Sequence, residues 1–279
     1  MEARPAVNLI FFTKNLSGRE MPAVVDTLHA MGADGADLAV RPGYAVEPAN
    51  ARERLPDAVR LLREAGLETP LCSAPTDLTD PAAPMAEGLV AACHDAGVPN
   101  LKIGYWEFRP GDYDEQLAAA RRQVEGWAKL ADRFGVRICL HTHSGACLGC
   151  NASAMAPLAA GTDPRHIGVY LDMGHLAICG EPPGMACAIA GRSLALMAAK
   201  DPLWVRTENG RGASARFVPI GEGIVDWRAW FRALKQAQYR GPISVHAEFD
   251  APTPQHVLER TGRDIAWLRQ LAREVEAEG

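Results

Sequence analysis

Short, continuous apolar runs alternate with longer segments whose apolar residues recur at helical spacing, and the alternation continues along almost the whole chain. Ala6 to Phe12 reads as a buried strand. A polar turn through Asn15, Ser17 and Gly18 follows, then a helix carrying Met21, Val24, Val25 and Leu28 that Gly32 stops. The unit recurs as strand Gly35 to Val40 with helix Arg52 to Ala65, and as strand Glu68 to Ser73 with a helix from about Pro81 to Ala96. Strand Leu101 to Gly104 precedes a long helix with Leu117, Val124, Trp127, Ala131 and Phe134 on one face. Val136 to Thr142, Ile167 to Asp172, Leu194 to Lys200 and Ile243 to Glu248 supply the remaining strands. Trp227, Trp230, Phe231 and Leu234 stripe one late helix; Leu258, Ile265, Leu268, Ala272 and Val275 stripe the last.

Strands that are apolar throughout are covered on both faces, which implies a parallel sheet wrapped by helices. Eight such units in 279 residues predict an α/β fold closed as a (β/α)8 TIM barrel, one domain over 1–279. No Gly-x-Gly-x-x-Gly or P-loop pattern opens a helix, so a nucleotide-binding doubly wound sheet is the weaker arrangement. The formal net charge of −5, with both signs interspersed, argues against a nucleic-acid partner, which would call for a basic face. No apolar run approaches the length of a membrane span, and Met1 to Pro5 lack the pattern of a signal peptide, so a cytoplasmic location is expected. The seven cysteines then read as free thiols.

Barrels of this kind place their chemistry at the C-terminal strand ends. Those ends read Arg41-Pro42-Gly43-Tyr44, Lys102 to Glu107, His141-Thr142-His143-Ser144, Asp172-Met173-Gly174-His175, Lys200-Asp201 and His246-Ala247-Glu248. With a side-chain period of two, His141 and His143 share a face, as do His246 and Glu248, so both pairs can point into the barrel mouth. Carboxylates and imidazoles converging there could hold a divalent cation or act as general acid and base. Lys200 could form a Schiff base if desolvated, but an ion pair with Asp201, Asp172 or a substrate carboxylate is the simpler reading. Cys147 and Cys150, with Cys139 upstream, form only a lone C-x-x-C and make a weak case for zinc.

Gly168 to His175, the Lys200-Asp201 pair, and Val218 to Gly223 followed by Asp226-Trp227 give the chain a family character. It resembles the sugar phosphate isomerase/epimerase families, the xylose-isomerase-like barrels that also include endonuclease-four-type repair enzymes. In the better understood members, Glu, Asp, His and Glu from strands five to eight hold one divalent metal, and the carboxylates move protons between adjacent sugar carbons. Carried over by position, Asp172 matches the Asp and His175 the substrate-contacting His. His141 stands where the first Glu is expected, Ala198 where the His is expected, and His246 where the last Glu is expected, with Glu248 two residues on. The resemblance implies an isomerase or epimerase of a keto-sugar or related polyol, enolising the substrate beside its carbonyl with a metal or cationic groups in support. The expected cofactor is Mn, Mg, Co or Zn held by His141, Asp172, His246 and Glu248. Asp172, Glu248, His141 and Lys200 are the expected catalytic groups; Arg41, His143, His175, His246 and Trp106, with Tyr105, are expected to contact a sugar-like substrate. A lyase using the same enolate chemistry on an oxidised sugar and a non-catalytic sugar-binding barrel are the alternatives; repair-endonuclease activity fits least. Barrels of this type often form homodimers.

Overall fold

The apolar runs become the eight strands of a closed parallel barrel in the computed structural model, which describes residues 7–208 and 210–278. The elements in chain order are β1 (Asn8–Phe12), α1 (Met21–Met31), β2 (Gly35–Ala39), α2 (Ala51–Glu64), β3 (Glu68–Ser73), α3 (Ala86–Ala96), β4 (Asn100–Lys102) and α4 (Tyr113–Phe134). There follow β5 (Arg137–His141), α5 (Ala152–Ala159), β6 (Ile167–Asp172), α6 (Met173–Cys179), α7 (Pro183–Ala190) and β7 (Leu194–Ala199). The chain closes with β8 (Asp201–Arg206), β9 (Ala213–Val218), α8 (Trp227–Gln236), β10 (Pro242–Val245) and α9 (Pro254–Ala277). The barrel order is β1-β10-β7-β6-β5-β4-β3-β2, with β10 as its eighth strand, and every pairing is parallel. A closed parallel (β/α)8 barrel is therefore the fold.

The helices bury one face against the outside of the barrel, with Trp127 and Trp230 among the largest side chains wholly enclosed there. The barrel interior is a separate, smaller cluster in which Ile10, Leu71, Cys139, Tyr170, Leu196 and Ala198 meet. Cys139 is thus a core residue inside the barrel, and the zinc reading loses its third cysteine.

The structure shifts several expected boundaries. Ala6, the expected start of the first strand, lies outside the described residues. β4 ends at Lys102 rather than Gly104, because the chain turns there and Gly104 N–H donates to Leu78 O at 2.8 Å. The expected helix start near Pro81 is a run of turns, and α3 begins at Ala86. β10 ends at Val245, so His246 and Glu248 stand on the loop beyond the strand rather than on a strand face.

The sequence reading missed the antiparallel hairpin β8–β9, which rises from the end of β7. Its outer residues alternate poorly in polarity, and Leu203 and Trp204 remain exposed. The Lys-Asp and Gly-Glu-Gly motifs explain how it is tied down. The buried Asp201 carboxylate accepts from Gly221 N at 2.9 Å, Gly223 N at 3.1 Å, Val225 N at 3.1 Å and Trp227 Nε1 at 3.0 Å. A Cβ at Gly223 would fall on the Asp201 side chain, so that position admits only glycine. Asp226 then caps α8 by accepting from Ala229 N at 2.9 Å. Among the described residues no helix is long and apolar enough to cross a membrane.

Candidate active site

At the C-terminal end of the barrel a narrow pocket of about 80 Å³ is lined by residues from every barrel strand end. A larger cavity, about 500 Å³, lies at the opposite end among Asn8, Asp34, Glu68 and Tyr239. That N-terminal face is where such barrels keep stability rather than chemistry. The mouth, by contrast, gathers the buried ionisable groups.

Its centre is a chain of charges. Lys200 Nζ, buried just beyond β7, lies 2.8 Å from Glu248 Oε2 and 3.3 Å from Asp172 Oδ2. Lys14 Nζ, arriving from the loop after β1, takes the other Glu248 oxygen at 2.7 Å. Burial alone would discharge Lys200, but Asp172 and Glu248 outweigh it and raise its pKa. Burial likewise favours neutral carboxyls at Asp172 and Glu248. Lys200 in particular reverses this, aided by the adjacent His141 N–H at Asp172 and by Lys14 at Glu248, so both are held well below the usual carboxylate range. Asp172 is also a structural pivot: Oδ1 caps α6 by accepting from His175 N at 3.0 Å, while its own N–H donates to Thr142 Oγ1 at 2.9 Å.

Around this chain burial favours the neutral form of His141, His143 and His175. Burial lowers His141 to about 3 and His175 to about 2. His141 Nε2 lies 3.3 Å from Asp172 Oδ2, and both ring nitrogens are buried without a well-formed hydrogen bond among the described residues. His143 stacks on Tyr105 with ring centroids 4.1 Å apart, and its other side meets His175 at the same separation. Ser144 Oγ pairs with His175 Nδ1 at 2.8 Å.

Beneath the mouth the wholly buried Asp37 of β2 accepts from Ser73 Oγ at 2.7 Å, Ser244 Oγ at 2.9 Å and Tyr170 Oη at 3.3 Å. Because the Asp37 carboxylate can only accept, Tyr170 donates to it, and the phenol oxygen in turn faces His246 Nε2 at 3.1 Å. The relay orients the His246 ring, whose Nδ1 lies 4.0 Å from Asp172 Oδ2. The sequence offered a weak signal for it, a single Asp in an otherwise apolar strand.

The structure brings His141, Asp172, His246 and Glu248 together, but their arrangement does not fit a divalent ion. Both Glu248 oxygens face ammonium groups, so a divalent ion placed there would stand against the positive charges of Lys14 and Lys200. The Ala198 methyl faces the barrel interior where a fourth donor would come from β7. Lys200 already places a positive charge against the Asp172 oxygen that a metal would need. Among the described residues no group of three or more His, Cys, Asp or Glu stands in metal-holding geometry.

Arg41, His143, His246 and Lys200 line the pocket; His175 stands behind His143, 2% exposed. Trp106 does not reach it: its Nε1 donates to Gln123, and the ring faces a side cleft beside α4. Tyr105 supplies the aromatic wall instead, because the turn after β4 sends adjacent side chains to opposite sides. Lys14 and Lys102 are pocket residues that the sequence reading left unassigned.

Fold and mouth together define a parallel β/α barrel with a charged, enclosed centre at its C-terminal face. A family model described as xylose isomerase-like TIM barrel matches residues 25–271, and the chain belongs to that family. Solved structures with the same fold include 3-keto-D-glucoside 4-epimerase from E. coli in its apo form, with TM-score 0.73 and 16% identity over 95% of this chain and 99% of that one. D-allulose 3-epimerase from Methylomonas sp. gives 0.69 and 18% over 97% and 100%. A D-tagatose 3-epimerase-like protein gives 0.73 and 14% over 97% and 100%. Such identities establish shared fold alone. No curated protein matches the sequence.

Proposed function

We propose that this barrel epimerises or isomerises a keto-sugar or related polyol by moving a proton at the carbon beside its carbonyl. The observation that carries the reading is Lys200, buried and charged between two ionised carboxylates in the mouth. Enolisation needs a base at the C–H and positive or hydrogen-bonding groups at the oxygen that becomes negative. Glu248, at the rim, takes the proton; the opposite face is reprotonated from the Lys200 ammonium beside Asp172, and protonated Glu248 then restores that proton to Lys200 across their 2.8 Å contact. The Lys200 ammonium holds the developing oxyanion. Neutral His141 turns Nε2 toward Asp172 and helps to fix that carboxylate. The fold shared with three keto-sugar epimerases or epimerase-like proteins supports the same substrate class.

The test is deuterium incorporation beside the carbonyl, followed by NMR, when D-fructose, D-allulose and D-tagatose are incubated with the protein in D2O. Exchange that vanishes in Asp172→Asn supports the reading; no exchange with any keto-sugar removes it. The cation is tested in parallel by loading with manganese, desalting and elemental analysis. Well under one equivalent is expected. One retained equivalent, lost in Asp172→Asn, would restore a metal held by His141, Asp172 and His246.

A further inference from the structure

Two cations of the mouth have no ion-pair partner among the described residues, and they stand together on its β2–β4 side. Arg41, just past β2, donates Nε to Ala74 O at 3.3 Å and rests its guanidinium 5.2 Å from the Phe12 ring centroid. Its terminal nitrogens have no acceptor among the described residues. Lys102, the last residue of β4, is 5% exposed, and its Nζ meets only the face of Tyr105, 5.6 Å from the ring centroid. Between them the end of β3 contributes Ser73 and Thr76 to the same wall. Asp37 lies beneath, but the hydroxyls of Ser73, Ser244 and Tyr170 occupy its oxygens.

A buried ammonium without a partner is costly, and a neighbouring guanidinium makes it more so. Burial first, and then Arg41, pull Lys102 down to about 7. A substrate anion placed between the two would relieve both effects, and the planar Arg fork suits two-point contact with a carboxylate or phosphate. Lys14 and Lys200 are less suited to this part, since the charge of each is already balanced by a protein carboxylate.

We propose that Arg41 and Lys102 form a subsite for an anionic substituent, so that the sugar handled in this mouth is an acid or phosphate derivative. The inference rests on the reading of the mouth as a sugar-converting site and names its substrate class. It separates this chain from its structural neighbours, which are named for uncharged keto-sugars.

Titration calorimetry with D-fructose, 2-keto-D-gluconate and D-fructose 6-phosphate tests it on the full chain, alongside Arg41→Gln, Lys102→Met and Asp172→Asn. At least one anion is expected to bind tenfold or more tighter than D-fructose, with the preference lost in Arg41→Gln and Lys102→Met. It should weaken with added salt and survive in Asp172→Asn. Preference for 2-keto-D-gluconate assigns a carboxylate, and preference for the phosphate assigns that group. Equal binding of all three ligands, or an anion preference unchanged in both cation variants, overturns the subsite. Arg41 is half-buried at the rim, so its variant keeps the test usable should Lys102→Met fold poorly. Deuterium exchange reads the proposed function separately: anion binding without exchange would sink the epimerase and leave the subsite, and exchange without anion preference would do the reverse.

Discussion

The two arcs of the barrel mouth carry the same number of cationic side chains but treat them oppositely. On the β6–β1 side, Lys200 and Lys14 are locked to Asp172 and Glu248 within 2.7 to 3.3 Å. On the β2–β4 side, Arg41 and Lys102 face the pocket with no ion-pair partner among the described residues. The first arc is electrostatically complete before any ligand arrives; the second is complete only with one. A paired, fixed charge array suits chemistry, since nothing need reorganise as charge develops. An unpaired array suits recognition.

The sharpest way to break this contrast is to disable the paired arc. Asp172→Asn keeps an acceptor for the α6 cap yet removes the charge. Turnover is expected to fall by roughly 10²–10⁴, the range of a positioned acid–base group, with binding nearly unchanged. A loss below about tenfold, measured as deuterium exchange per unit time, would move the chemistry elsewhere in the mouth.

Truncating one lysine in each arc should give stability changes of opposite sign. Lys200→Met strands the fully enclosed Asp172 and leaves Glu248 with Lys14 alone, and is expected to cost about 3–5 kcal/mol. Lys102→Met removes an unpartnered buried charge and should leave the midpoint of denaturant unfolding equal or higher. Equal losses in both would mean that Lys102 has a structural partner and the arcs are alike.

Most of the barrel was legible because its signal is repetitive. Most strands are largely apolar, and Gly32 closes its helix in a left-handed cap, as the sequence suggested, as do Gly97 and Gly135. The hairpin β8–β9 was not legible: its strands are exposed, so neither alternation nor a buried run marks them. In the mouth, position alone selected Asp172, His141, His246, Glu248 and Lys200, because strand ends converge. What position could not supply was pairing. That Glu248 would be taken by two ammonium groups depends on Lys14, fixed by a turn far away in sequence. Trp106 and Tyr105 could not be told apart because the strand ends before them, and with it the period-two rule that would have chosen.

The neutral imidazoles extend the contrast to pH. His141 and His175 are depressed in the folded state, to about 3 and about 2, against about 6.5 when unfolded. Below pH 6.5 the unfolded chain therefore binds more protons than the folded one, so stability is full above that pH and falls as acid is added. Asp172 and Glu248, also depressed, add to the loss below about pH 4.5. Between pH 6 and 5 each histidine should contribute about 1 kcal/mol of loss, read from denaturant midpoints at several pH values. His141→Gln should flatten the slope by about one proton; an unchanged slope would mean that His141 is charged in the folded protein and belongs with the cations.

The smallest expected effect lies outside both arcs. Trp106 turns away from the pocket, donates to Gln123 and packs beside α4, whereas Tyr105, the next residue back, stacks on His143 at the pocket wall. Trp106→Phe keeps the ring volume near enough that KM should stay within about twofold. Its cost should be confined to one hydrogen bond, about 1 kcal/mol of stability. Tyr105→Leu, one position away, removes the aromatic face from both His143 and Lys102 and should raise KM more than Trp106→Phe does. If Trp106→Phe raised KM the more, a sugar would have to reach the side cleft beside α4. The pocket bounded by the two arcs would then be only part of the binding site.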